Sequence, residues 1–370
     1  MWDSKLFKTG IAILVAFAII YIGTQITFVF RPIVAVFEAL FLSFLIAGIL
    51  FYFTFPLSDI LCKYKVPRAI SILVVFLVIT AVLFFLGFSI GPILAEEFAR
   101  LINNLPQNIR QLHTLALELR DHPTISRLIY LEAINLSKIT EWLAGLASNT
   151  IAGFTSSLGS IAGAIGSFFT TIMVVPFLLF FMLKEKGQGF FDKLVDRFVP
   201  EDYKNSIKKA LAEINLKLGA YFQGVGIVCL CVGILAYISF LIIGLEFALI
   251  LAIIIGITNI IPYLGPFIGA VPAVLIGLFD SPATMLYVII AIVIVQQIES
   301  LLISPAVMGR KLALSPLVVI LVILIAGRLA GLLGIILAVP GFTVLKIIVS
   351  HTYEHIQLKK QKLEEAETVN

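Results

Sequence analysis

The chain has 370 residues, of which 60% are hydrophobic and only 13% charged, with a mean hydropathy of +1.10 and a formal net charge of +4. Soluble domains carry roughly 25% charged residues, so there are too few charges here to clothe a water-soluble globule. The small positive excess is interrupted by long apolar runs, which excludes a basic nucleic-acid face. The composition is that of an all-α polytopic membrane protein whose solvent and first partner is the lipid bilayer.

A membrane span needs about 20 mainly apolar residues. Residues 9–30 are predicted as the first span: Lys5 and Lys8 precede it, but it is too long for a signal-peptide core and ends without a small-residue cleavage site. Residues 32–55 and 69–90 follow as the second and third. Between residues 96 and 149 the chain turns polar, and Leu101, Leu105, Ile109, Leu112, Leu115 and Leu119 recur at steps of three and four. That is one stripe of an amphipathic helix; it breaks at Asp121-His122-Pro123, and a second amphipathic stretch begins beyond. Gly159, Gly163 and Gly166, beside Ser156, Ser157, Ser160 and Ser167, form a small-residue face suited to close helix packing. The fourth span, 168–183, runs into another polar region, 184–217. There Pro200-Glu201-Asp202 reads as a helix start, and Tyr203, Ile207, Leu211, Ile214 and Leu218 form one face. Both amphipathic regions suit helices lying on the membrane or packed between subunits. Residues 221–243 and 283–303 are the fifth and sixth spans. Two runs, 247–279 and 317–350, do not fit a single straight crossing.

Charge sets the expected orientation. The amino-terminal end carries Lys5 and Lys8, the turn after the second span Lys63, Lys65 and Arg68, and the tail Lys359, Lys360 and Lys362. Region 184–217 carries eight basic residues: Lys184, Lys186, Lys193, Arg197, Lys204, Lys208, Lys209 and Lys217. By the positive-inside rule all four face the cytoplasm. Region 96–149, with five basic and six acidic residues, is free to lie outside. If each awkward run crossed once, Arg310-Lys311 would be external, against the bias. If each enters and returns on one side, Asp280 is external and Arg310-Lys311 cytoplasmic. The favoured architecture is six transmembrane helices plus two oppositely oriented re-entrant hairpins, with eight spanning helices as the alternative. It divides the chain into a three-span bundle (1–95), an extracytoplasmic amphipathic segment (96–150), a fourth span (151–183), a cytoplasmic amphipathic segment (184–218), a transport region (219–350) and a cytoplasmic tail (351–370).

The breaks carry the functional expectation. The first run is interrupted by Asn259-Ile260-Ile261-Pro262-Tyr263-Leu264-Gly265-Pro266, the second by Gly327-Arg328-Leu329-Ala330-Gly331-Leu332-Leu333-Gly334 and then Pro340-Gly341. Proline removes backbone donors and frees carbonyls, and within a bilayer such groups persist only where protein or a water-filled cavity satisfies them. Paired interrupted segments point to a transporter site near the midplane. The candidate substrate- or ion-binding residues are Asn259, Pro262, Tyr263, Gly265, Gln296, Gln297, Glu299, Gly327, Arg328 and Gly331. Glu299 ends an otherwise apolar span, where a carboxylate is expensive, so it reads as a coupling group or hydrogen-bond acceptor, or else as a structural or interfacial acid. Arg328 offers a fork of donors to a ligand, or a partner for Glu299. Asn259 and Tyr263 serve a ligand or cap freed backbone. Glu246 reads as a loop acid, and Glu38 lies inside the second span. His351 and His355 stand four apart without a third ligand, and Cys62, Cys229 and Cys231 lack metal or disulfide spacing. There is no His-Glu-x-x-His, P-loop or Gly-x-Ser-x-Gly. Neither an enzyme, a metal nor a cofactor is expected.

Several separated motifs occur in a telling order: Val66-Pro67-Arg68; Pro176-Phe177-Leu178-Leu179-Phe180-Phe181-Met182-Leu183-Lys184; Ile261-Pro262-Tyr263-Leu264-Gly265-Pro266; Gln297-Ile298-Glu299 with Ile303-Ser304-Pro305 and Met308-Gly309; Gly331-Leu332-Leu333-Gly334 with Ala338-Val339-Pro340. Over nearly the whole chain this resembles the autoinducer-2 exporter family of bacterial transporters. The resemblance implies a bacterial plasma (inner) membrane protein with six spans and two opposed hairpins, an elevator-like mechanism and a homopentamer. It also implies export of autoinducer-2 for some members and sodium/proton antiport for others. The chain departs from the family pattern at Gln223-Gly224, where Gly-Gln is frequent, and at Ser315-Pro316, where His-Pro is frequent. The expected function is therefore secondary export of a small polar solute by alternating access; the alternatives are a cation/proton antiporter and a non-transporting scaffold.

Overall fold

The computed structural model of the chain describes residues 11, 14, 15, 17, 27–121, 165–185, 189–308 and 315–368. Most of the predicted first span, the amphipathic stretch beyond Asp121, the small-residue face up to residue 164 and the Arg310-Lys311 pair lie outside the described residues. So do the side chains of Glu38 and His355. The described residues contain helices and turns and no strand. The helices are α1 (Thr27–Lys63), α2 (Arg68–Asp121), α3 (Ile165–Lys184), α4 (Gly189–Phe198), α5 (Glu201–Ile243), α6 (Ala248–Thr258), α7 (Leu264–Asp280), α8 (Pro282–Ile298), a π-helical turn (Glu299–Ile303), α9 (Ser304–Met308) and α10 (Pro316–Thr368). Five helical segments, in α1, α2, α5, α8–α9 and α10, are long and apolar enough to cross a membrane. This is a multi-pass membrane protein.

Two helices are longer than the sequence pattern suggested. α2 joins the third span and the amphipathic stripe in one rod of 54 residues, about 80 Å long, ending at the predicted stop. α5 likewise joins the basic amphipathic region to the fifth span over 43 residues, starting after Pro200 and ending at Gly244, whose φ of 77° closes the helix in the left-handed region. In α2 the helix runs on through Gly91-Pro92 at the junction of its apolar and polar parts, and in α5 no proline lies between the two parts. Short α4 folds back on the start of α5, where Lys208 Nζ meets Asp196 Oδ1 at 2.7 Å. That hydrogen bond raises the Lys208 ammonium above its ordinary range.

The buried residues fall into two bodies. Ala47, Phe51, Ile72, Val175, Leu179 and Leu183 knit α1, α2 and α3 together. Buried Ser71 reinforces them by donating to the Ser58 carbonyl at 2.7 Å, and Arg68 Nε donates to the Leu183 carbonyl at 2.8 Å. The other body is α5 to α10: one cluster spans α5 to α8 around Phe240, Leu251 and Ile255, and a second joins α5 to α10 around Val225 and Ile323. The bodies meet where α1 crosses α5 and where α2 packs on the α6–α7 reversal. Tyr52 stacks on Phe222 with ring centroids 5.7 Å apart, and Gln223 Nε2 donates to the Tyr52 carbonyl at 2.7 Å. Gly219 and Gly226 lie directly under the Tyr52 and Phe53 rings.

Both awkward runs reverse direction. α6 and α7 fold against each other so closely that a Cβ on Gly265 would stand 1.9 Å from the Thr258 carbonyl oxygen, and one on Gly269 2.8 Å from Ile255 Cα. α10 breaks at Ala330 (φ −134°, ψ 18°) and Gly331 (φ 58°, ψ −139°). In an unbroken helix Ala326 and Gly334 would be about 12 Å apart. Here a Cβ on Gly334 would meet the Ala326 carbonyl oxygen at 2.0 Å, and Val319 shares a cluster with Ala338 and Val339. α10 is therefore two arms lying side by side.

Candidate functional site

The first break forms because Pro262 and Pro266 cannot donate, and proline is tolerated where a helix restarts. Asn259 caps the end of α6, and Tyr263, at φ 65°, precedes α7. Four of the turn's donors are satisfied within it: the Ile260, Ile261, Leu264 and Gly265 N–H groups reach the carbonyls of Ile257, Thr258, Pro262 and Ile261 at 3.1, 3.0, 2.8 and 2.9 Å. The Tyr263 side chain does no capping. Ile260 and Ile261 pack in one cluster with Val225 of α5 and with Ile323, Ala338 and Val339 from both arms of α10. The tip of the first reversal thus rests on the body of the second.

The polar residues beside this junction come from the end of α8. Proline at 305 removes the donor that would bind the carbonyl four residues earlier, and its ring crowds that carbonyl. The helix widens just ahead of it, and the Ser304 N–H reaches back five residues to the Glu299 carbonyl. Such π-turns favour functional sites because they re-aim side chains. Here the wider turn lets the Ser304 hydroxyl donate to Glu299 Oε1. Glu299 is half-buried. One turn earlier, Gln296 Nε2 is buried without a hydrogen-bond partner, in a crevice formed by Ala236, Phe240, Ile255, Ala291, Ile292 and Val295. A buried donor left unpaired costs about 1–3 kcal/mol.

Of the residues expected from the sequence, Asn259, Pro262 and Gly265 lie at the first break and Gln296 and Glu299 at the end of α8, all buried or half-buried. Gln297 and Tyr263 are exposed. Gly327 packs against Ile335, but Arg328 and Gly331 at the second break are exposed. Among the described residues Arg328 makes no ion pair, and Ser304 rather than Arg328 holds Glu299. Glu246 is an exposed turn residue. His351 Nε2 lies 2.8 Å from Glu213 Oε2, whose other oxygen is 2.6 Å from Lys217 Nζ, so this histidine ties α10 to α5. The described residues contain no group of three metal-ligating side chains. Ser304 as the partner of Glu299 had a sequence signal in the following proline; Gln223 at the α1–α5 crossing had none.

Residues 11–354 match the model of a family described as AI-2E family transporter. YueF of Bacillus subtilis (strain 168) is 39% identical over 366 residues, which cover 99% of this chain and 98% of the relative. YrrI of the same strain is 32% identical over 339 residues, 90% of this chain and 92% of the relative. Both are named only provisionally as transport proteins. The AI-2 transport protein TqsA of Escherichia coli (strain K12) is 23% identical over 298 residues, 80% of this chain and 81% of the relative.

Proposed function

The chain belongs to the AI-2E transporter family, and from that premise we propose that it is a secondary transporter exporting a small polar solute of the autoinducer-2 kind. Transport is elevator-like: the α5–α10 body slides along α1–α3 and carries the two reversals with it. In this reading the reversals are re-entrant hairpins entering from opposite faces, beside six spanning helices, with both termini in the cytoplasm. The membrane is the bacterial inner membrane and the assembly a homopentamer. Residues 219–350 form the transport region, attached to the 1–95 bundle and the 151–183 span. Segments 96–150 and 184–218 lie outside and inside, and 351–370 is the tail.

The observation that carries this reading is the junction of the two reversals on α5, together with the end of α8, where a half-buried carboxylate stands on a π-turn and an unpartnered buried amide one turn before it. Broken helices side by side are what a midplane site requires, and separate cores for the two bodies are what sliding requires. Gln296 supplies a donor and Glu299 an acceptor for a hydroxyl-rich solute. Efflux from proteoliposomes loaded with autoinducer-2 tests it. Glu299→Gln is expected to cut the initial rate at least tenfold while the protein still elutes as a single folded species. Undiminished efflux from that variant removes Glu299 from the site, and absence of flux in the wild type favours a non-transporting scaffold.

The carboxylate favours one further reading, a cation/proton antiporter on the same body, in which Glu299 takes up and releases the proton. A sodium gradient would then drive a pH change in the vesicle lumen that Glu299→Gln abolishes.

A further inference from the structure

α6 starts without a cap of its own. Phe247 precedes it in a left-handed conformation (φ 59°, ψ 29°) and offers no side-chain acceptor. The Leu251 N–H returns to the Phe247 carbonyl at 3.0 Å, but the N–H groups ahead of it have no helical partner. Glu97 of α2 reaches into this turn from the other body, and its Oε2 accepts a hydrogen bond from the Ile250 N–H at 3.0 Å. A carboxylate at that place meets free donors and the positive end of the helix dipole together. One turn along α2, Leu101 packs against the α5–α8 cluster, so positions 97 and 101 present one face of α2 to the reversal. The neighbouring charges are engaged with each other: Arg100 pairs with Glu96, both about two-thirds exposed.

The other sides of α6 are fixed to its own body at backbone distance. A Cβ on Gly256 would lie 3.2 Å from Gly233 Cα of α5, and Gly269 of α7 sits against Ile255. α6 therefore travels with α5 and α7, whereas Glu97 stays with α1–α3. A hydrogen bond does not survive a shift of several ångströms, so this contact belongs to one end of the stroke. We propose that Glu97 is a latch, a positioning residue that holds the first reversal to α2 in this conformation and releases it when the α5–α10 body moves. The motion rests on the transporter reading above; the contact does not.

Hydrogen exchange of the full-length protein in lipid nanodiscs tests the contact. In Glu97→Ala the peptide covering residues 248–258 exchanges about tenfold faster while α8 keeps wild-type protection. Glu97→Gln, whose amide oxygen still accepts, changes less and carries the test if the alanine variant proves poorly folded. The latch is read at the far contact between the bodies, as the oxidation yield of a Tyr52→Cys/Gly219→Cys pair with Cys62, Cys229 and Cys231 replaced by alanine. Releasing the latch lowers that yield at least severalfold, whereas a mere helix cap leaves it unchanged. Unaltered exchange at 248–258 overturns the contact, and altered exchange with unaltered cross-linking overturns the latch. Neither readout measures flux, so a protein that transports no autoinducer-2 leaves both results standing.

Discussion

A methyl group has no place at Gly265 or Gly334. At each, an added Cβ would stand within about half a van der Waals separation of a backbone carbonyl oxygen across the reversal, 1.9 Å in one case and 2.0 Å in the other. Backbone cannot swing aside as a side chain can, so Gly265→Ala and Gly334→Ala must splay the paired arms. Each is expected to destabilise by about 2–4 kcal/mol. Gly331 is constrained differently: its surroundings are open, but φ 58° with ψ −139° is a conformation that L residues avoid. Gly331→Ala is expected to cost about 1–3 kcal/mol. Gly341, helical with nothing within 4 Å, is the control, and Gly341→Ala is expected to be neutral or to gain up to about 1 kcal/mol. Thermal unfolding in detergent ranks the four, and equal shifts at Gly334 and Gly341 would contradict the folded-back α10.

The interrupted runs were legible as elements because proline and glycine cluster at both breaks, although lone prolines do not break this chain: Pro176, Pro272 and the expected interruption at Pro340-Gly341 all lie inside helices. The Pro262–Pro266 cluster and the Gly327–Gly334 stretch mark both turns. What the pattern hid was continuity. The leucine stripe after Glu96 has the same period whether it starts a new helix or continues α2, and the face from Tyr203 to Leu218 has the same ambiguity with α5. The π-turn was half legible: Ser304-Pro305 announces a disturbance, but only the fold shows that it aims the serine hydroxyl at Glu299. Contacts between the bodies were not legible at all. Glu97 meets Ile250 across 153 positions, and in sequence it is one of two adjacent acids in a polar stretch. At the first break the N–H groups of Ile260, Ile261, Leu264 and Gly265 bond within the turn, and the unpartnered buried donor is on the Gln296 side chain. The re-entrant reading of these elements makes a sidedness prediction. A cysteine at Asp280, the exposed end of α7, should react with an impermeant maleimide only from outside the cell. Labelling only from the cytoplasm would require a straight crossing instead.

At the scale of the molecule, two hydrophobic bodies with separate cores touch along the α1–α5 crossing and where Glu97 and Leu101 of α2 meet the first reversal. The crossing is a glycine face on α5 set against aromatic rings of α1, where a Cβ on Gly219 would stand 3.2 Å from the Tyr52 ring and Gly226 lies under Phe53. The tip of the Phe53 ring fills the space beside Gly226 and Tyr52 stacks on Phe222, and the Gln223 and Glu97 hydrogen bonds join the two bodies in this conformation. The transport proposal reads the two bodies as a fixed frame and a moving carrier. The direct measurement is autoinducer-2 efflux from proteoliposomes containing the Tyr52→Cys/Gly219→Cys variant in the cysteine-free background, oxidised and then reduced. Sliding predicts that efflux stops when the pair is bridged and returns when a thiol reductant opens it. Efflux that continues at the same rate with the two bodies covalently joined would contradict the account.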